Sequence, residues 1–190
     1  MAEISKEYSE MLDRYLAEDS SAVFRNFSPA HAREIITKFL ERAEYSVEIL
    51  SGSFCDEFYN ALAMRYLLRQ AALKISRNRG RIRIVTTSRG GNAALRGMIA
   101  EINGELRSPV IQYIPAVYHG DTPLNHFMVV DAKRYRLEEP HDDTGKMPEC
   151  VKAEVCCNGR EKSAELLEFF NMVWERLTPK PEPKAGAVLA

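Results

Sequence analysis

The stretch from 124 to 138, Leu-Asn-His-Phe-Met-Val-Val-Asp-Ala-Lys-Arg-Tyr-Arg-Leu-Glu, constrains the chain more than any other. An apolar run, Phe127-Met128-Val129-Val130, ends in Asp131 and turns through Ala132 and Lys133. It re-enters as Tyr135-Arg136-Leu137. A short apolar run bounded by turn residues reads as a buried strand, and the return makes it one arm of a hairpin. Its first strand carries His126 at one end and Asp131 at the other.

The elements around this hairpin follow from periodicity. Residues 1–17 place Ile4, Tyr8, Met11, Leu12, Tyr15 and Leu16 at helical spacing, and their position suggests a peripheral or partner-facing helix. Residues 22–27 read as a short link, with an extended conformation as one option. Ser28-Pro29 is a helix start, a capping serine with proline at the first helical position. Ile35, Ile36, Phe39, Leu40 and Ala43 give that helix one apolar face. Strands are predicted over 45–50, 81–87, 109–115 and 151–157. Helices are predicted from about 56 to about 76, from 93 to about 106, and over 160–177. Strands alternating with helices predict a layered α/β domain with a mixed, mostly parallel sheet flanked by helices, finished by an antiparallel hairpin. The expected organisation is an N-terminal helix over 1–21, the α/β domain over 22–178, and a disordered proline- and lysine-containing tail over 179–190.

Composition narrows the function classes. A chain of 190 residues, 45% hydrophobic and 28% charged, is long enough for one sizeable core. Its formal net charge of -1 gives no bulk attraction to nucleic acid or anionic membrane, so such binding needs a local patch. No apolar run approaches the roughly 20 residues of a membrane span, and residues 1–18 are acidic and amphipathic rather than a signal segment. Cys55, Cys150, Cys156 and Cys157 lack C-x-x-C spacing. They predict thiols in a reducing cytoplasm, with no zinc site and no cofactor.

Three passages together resemble one half of a phospholipase D superfamily domain. Leu-Glu-Arg-Ala-Glu-Tyr-Ser-Val-Glu-Ile-Leu-Ser, residues 40–51, is similar to that family's opening helix-to-strand passage. Residues 127–133, Phe-Met-Val-Val-Asp-Ala-Lys, are similar to the strand and turn that close its signature. Residues 169–174, Phe-Phe-Asn-Met-Val-Trp, are similar to its terminal helix. The resemblance implies a signature H-x-K-x-x-x-x-D, in which histidine is nucleophile or acid, lysine holds phosphate and aspartate sits at the strand end. Placing Asp131 on the signature aspartate puts Leu124 at the histidine and His126 at the lysine, and Leu137-Glu138-Glu139 replaces the small polar pair. Placing His126 at the nucleophile puts Met128 at the lysine and Lys133 at the aspartate. Neither register keeps both a nucleophile and its cation, which phosphoryl transfer requires. The resemblance also implies a homodimer, since half-domains of this family pair around a twofold.

Candidate site residues lie on the strands and the loops that follow them. His126 is the candidate catalytic residue, set against a histidine that only caps a strand. Candidate ligand-binding residues are Ser51, Ser53, Arg89, His119, Asp131, Arg136 and Glu138. Loops at the carboxyl edge of a parallel sheet are where α/β folds bind ligands, though the same residues serve equally as turns. Arg136 is suited to hold a phosphate or carboxylate in a bidentate manner, or else to pair with Glu138. Arg77, Arg79, Arg81 and Arg83, with Lys74 and Arg69 upstream, form the densest basic run, read as a solvated helix end rather than a nucleic-acid contact. The leading expectation is a non-catalytic, dimeric binding or adaptor module that recognises a protein partner or a phosphate-containing ligand, nucleic acid among them. The alternative is a metal-independent phosphodiesterase or nuclease that uses His126 across a homodimer. A purely structural subunit held by the N-terminal helix is a third.

Overall fold

A computed structural model of the chain describes residues 4–52, 62–87, 92–117, 124–140 and 152–178. Within them seven strands form one mixed sheet flanked by five helices. In chain order these are α1 (Lys6–Ala17), β1 (Val23–Asn26), α2 (Pro29–Arg42), β2 (Ser46–Ser51), α3 (Leu62–Arg77), β3 (Arg81–Thr86), α4 (Ala93–Leu106), β4 (Ile111–Pro115), β5 (Phe127–Val130), β6 (Arg134–Glu138), β7 (Ala153–Cys156) and α5 (Arg160–Leu177). The strand order is β1-β7-β6-β5-β2-β3-β4.

Parallel pairing is confined to β2–β3 and β3–β4. The other four pairings are antiparallel, so the parallel share is smaller than helix–strand alternation implies. The reason is the hairpin: β5 joins β2 antiparallel, and β6, β7 and β1 extend the sheet from it. Strand β1 is the segment read as a link, and of the options for it the extended one holds. Its four residues alternate too weakly to mark a strand, and only Asn26 among them is buried.

Alternation splits the core into two layers. Ile82 and Ile84 face one side with Val47, Ile49, Met128, Val130 and Val155, against the helices α1 to α4. Val85 faces the other with Leu50, Phe127, Val129 and Tyr135, where α5 packs through Leu166 and Phe170. Helix α1 is integral to the first layer rather than peripheral. Leu12 and Leu16 are buried in the core with Ile35, Ile36 and Phe39 of α2, and each leucine stabilises by about 1.5–3 kcal/mol. Ser5 caps α1, and Ser9 donates to Glu34 at 2.7 Å across the helix pair. Ser28 caps α2 with Pro29 at its first position, as the sequence predicts.

The α3–β3 connection needs a glycine. A Cβ on Gly80 would lie 1.8 Å from the carbonyl oxygen of Tyr45, and that carbonyl accepts the N–H of Arg81 at 3.1 Å to start β3 beside β2. The basic run around it disperses. Arg69 pairs with Glu105 at 2.6 Å and Lys74 donates to the carbonyl of Glu41. Arg83 turns inward onto Glu48 at 3.0 Å.

Candidate functional site: a polar row at one end of the sheet

Strands β2 and β3 end at Ser51 and Thr86, paired in register. Strand β5 runs antiparallel to β2 with Leu50 opposite Phe127, so the residue before it, His126, starts at this same edge. The backbone N–H of Glu138 donates to the carbonyl of His126 at 2.8 Å, which fixes these two side by side. Glu138 pairs with Ala153 and Ala153 with Asn26. The carboxyl edge of the parallel strands thus carries Ser51, His126, Glu138 and Asn26 in one row, with Arg136 one pleat behind. This is the edge at which α/β folds place ligands.

Glu138 organises the row. Its Oε2 lies 3.4 Å from Nδ1 of His126, and its Oε1 accepts from Nη1 of Arg136. Arg136 is 3% exposed. Its Nε donates to Oδ1 of Asn26 at 3.2 Å, while its Nη2 is buried with no hydrogen-bond partner. One carboxylate therefore serves both the imidazole and the guanidinium. The charge of the arginine is balanced inside the protein, and its donors on one side remain to be used. Ser51 contributes its backbone here: its carbonyl accepts the N–H of Thr87 at 3.0 Å. On the other flank the Tyr113 hydroxyl bridges Thr86 Oγ1 at 2.9 Å and the N–H of Asn92 at 3.1 Å. Asn92 caps α4.

Asp131 belongs to the opposite end. Val47 pairs with Val130 there, and the Asp131 carboxylate accepts the N–H groups of Glu44, Tyr45 and Ser46, the first two at 3.1 and 2.7 Å. Arg134 adds an ion pair at 3.3 Å. Asp131 and Ala132 both have positive φ, 52° and 53°, and Lys133 N–H donates to Val130 O. The hairpin turn is therefore of type I′, whose twist matches its strands. The side chain that looked like a site residue ties the start of β2 to the turn. Of the other candidate ligand residues, Ser53, Arg89 and His119 lie outside the described residues.

Sequence reasoning missed Asn26, Tyr8 and His31. Tyr8 of α1 stacks on His31 of α2 at 3.9 Å between ring centroids. Burial pushes the Tyr8 phenol up to about 12, opposed by the positive charge of Arg136. Burial also lowers the pKa of His31. The signal for Asn26 was its place just ahead of the Ser28 cap; nothing in the pattern pointed Tyr8 at the sheet.

Among the described residues no three His, Cys, Asp or Glu side chains gather as a metal site, and no helix is long and apolar enough to cross a membrane. Cys156 and Cys157 are buried thiols, and Cys55 and Cys150 lie outside the described residues.

The architecture matches solved structures of phospholipase D type. Nuc from Salmonella typhimurium, a phospholipase D family member, superposes with a TM-score of 0.58 at 17% identity, over 85% of this chain and 99% of its own. TrmBL2, an archaeal chromatin protein with a novel mode of DNA binding, gives 0.58 at 13% identity, over 90% of this chain and 60% of its own. NucT from Helicobacter pylori gives 0.51 at 11%, over 81% and 97%. No family model matches the sequence, and no curated protein matches it either. The chain has a phospholipase D-like fold.

Proposed function

We propose that the chain is a non-catalytic, dimeric binding module that recognises a phosphate-containing ligand, nucleic acid foremost, at the sheet edge carrying His126, Arg136 and Glu138. The observation that carries this reading is Glu138 itself. Phosphoryl transfer needs a nucleophile beside cations whose charge is available to the phosphate oxygens. Here the carboxylate that touches His126 also neutralises Arg136. Nη2 of Arg136 keeps its donors for a phosphate oxygen, while the charge that phosphoryl transfer would draw on is already held by Glu138. In the resemblance to the phospholipase D signature, His126 stands where a lysine belongs and Leu124 where the nucleophile belongs. TrmBL2 shares the fold and is described by its DNA binding, which favours nucleic acid over other phosphate ligands. Association into a homodimer brings two such edges to one ligand.

A fluorescent oligonucleotide titrated at low salt tests the site. Glu138→Gln releases Arg136 and is expected to tighten binding about tenfold, and Arg136→Gln to weaken it about tenfold, each step being worth about 1.4 kcal/mol. Equal affinity for the wild type and both variants moves the ligand elsewhere. Light scattering that reports a monomer removes the shared-edge arrangement.

A further inference from the structure

Arg136, Glu138 and His126 share one face of the sheet as well as one edge. Met128 belongs to the layer under α1 to α4 and Phe127 to the opposite layer, so alternation turns His126 towards the first. Arg136 lies opposite Met128 in the ladder, which puts Arg136 and Glu138 on that same face. Glu138 touches both neighbours: its Oε2 is 3.4 Å from Nδ1 of His126, and its Oε1 accepts from Nη1 of Arg136. The side chains of His126 and Glu138 are 12% and 16% exposed, so water screens the pair weakly. While the imidazole is neutral, the carboxylate and the guanidinium cancel. Once the imidazole is protonated, one carboxylate faces two cations, and the cluster carries a net positive charge.

We propose that a proton on His126 switches this sheet edge from weak to strong binding of phosphate oxygens. The inference rests on the reading of Arg136 as the phosphate-holding side chain and adds the control of that site. Histidine is the side chain whose charge ordinarily changes between about pH 5 and about pH 8. An imidazolium has donors on both ring nitrogens and no acceptor. Its Nδ1–H engages Oε2 of Glu138 in a charge-assisted hydrogen bond. Glu138 then no longer serves Arg136 alone, and the charge of the guanidinium becomes available to a ligand anion. Loss of the proton returns Glu138 to Arg136. A protonated imidazole also has no lone pair with which to attack phosphorus, so the state that binds is one without a nucleophile.

The other groups near this edge do not supply the change of charge. Ser51 of β2, Met128 of β5, Ala153 of β7 and Asn26 of β1 do not titrate. On the helices that cover the face, burial pushes the Tyr8 phenol up to about 12 and lowers the pKa of His31, which favours the neutral form of both. Glu34 accepts from Ser9 and pairs with Lys38 at 3.4 Å. Arg65 and Arg69 pair with Glu101 and Glu105.

The test titrates the full chain with a fluorescent oligonucleotide that lacks terminal phosphates, at about pH 5.5 and about pH 8 and at constant low ionic strength. Its phosphodiesters keep their charge over that range. Affinity about tenfold higher at the lower pH is expected. His126→Gln flattens the profile. His126→Lys, with a fixed charge, also flattens it, at a higher affinity than His126→Gln. Calorimetry in buffers of different ionisation enthalpy adds a readout that a structural role leaves at zero: proton uptake on binding by the wild type, and none by His126→Gln. Equal affinity at the two pH values overturns the switch. So does a pH dependence that persists in His126→Gln, since His31, His119 and His141 remain there. A chain that binds no oligonucleotide at either pH ends the nucleic-acid reading alone, and sulfate, whose charge is constant over the same range, then decides the switch by calorimetry. Sulfate bound at the lower pH and released at the higher sustains it; sulfate bound at neither, or equally at both, overturns it.

Discussion

Arg83→Ala is expected to cost about 3–5 kcal/mol of folding free energy, because it leaves a buried carboxylate without its partner. Arg83 and Glu48 are 6% and 2% exposed on the α5 side of the sheet. The guanidinium donates to Glu48 at 3.0 Å and to Oδ1 of Asn171 at 2.8 Å. It also lies over the rings of Phe170 and Trp174, 4.9 and 5.6 Å from their centroids. One side chain thus joins β3, β2 and the only described helix on this face. Burial raises the Glu48 pKa above its ordinary 4.5, and Arg83 is the main opposing influence. A carboxyl with a raised folded pKa binds more protons folded than unfolded, so its contribution to stability falls as pH rises through the interval between the two values. Removing Arg83 raises the folded value further. The deficit of Arg83→Ala is therefore larger at pH 7 than at pH 5. Urea unfolding at both pH values measures it; a variant within 1 kcal/mol of wild type, or one worse at pH 5, contradicts the role given to the pair.

Asp131→Ala is expected to lose about 3 kcal/mol, since a carboxylate that accepts several backbone N–H groups is worth more than a neutral acceptor. The three amides at the start of β2 lose their acceptor together, and alanine at φ 52° lacks the short polar side chain that helps aspartate tolerate this conformation. Asp131→Asn keeps one acceptor oxygen, tolerates that φ, and recovers about half of the loss. Ligand affinity per folded molecule is expected to stay at the wild-type value in both, because the proposed site is at the other end of β5. A chain that stays stable but loses ligand reassigns Asp131 to the site.

The hairpin shows what was legible. Its strand, its turn and the facing of Arg136 and Glu138 to one side were all readable, because a period of two is local and the turn residues are specific. The same holds for the Ser28-Pro29 start of α2. The β1 strand was not legible, since four half-exposed residues at a sheet edge carry almost no periodic signal. Nor was Arg83: read in sequence it belongs to a basic run, and only the pairing of β2 with β3 in register, Glu48 opposite Arg83, turns it inward. Helix α1 was misjudged because helical periodicity tells that a face is apolar, not what covers it. Of the polar row, the sequence reading named His126, Arg136 and Glu138 but not Asn26, whose approach to Arg136 joins strands 110 residues apart.

The function proposed for the His126–Glu138 edge is binding without chemistry. Hydrolysis of bis-p-nitrophenyl phosphate and of an oligonucleotide, with EDTA present and over many hours, tests it directly. The account predicts no turnover above buffer from the wild type and none from His126→Ala. EDTA-resistant cleavage that disappears in His126→Ala contradicts it and makes the chain a phosphodiesterase.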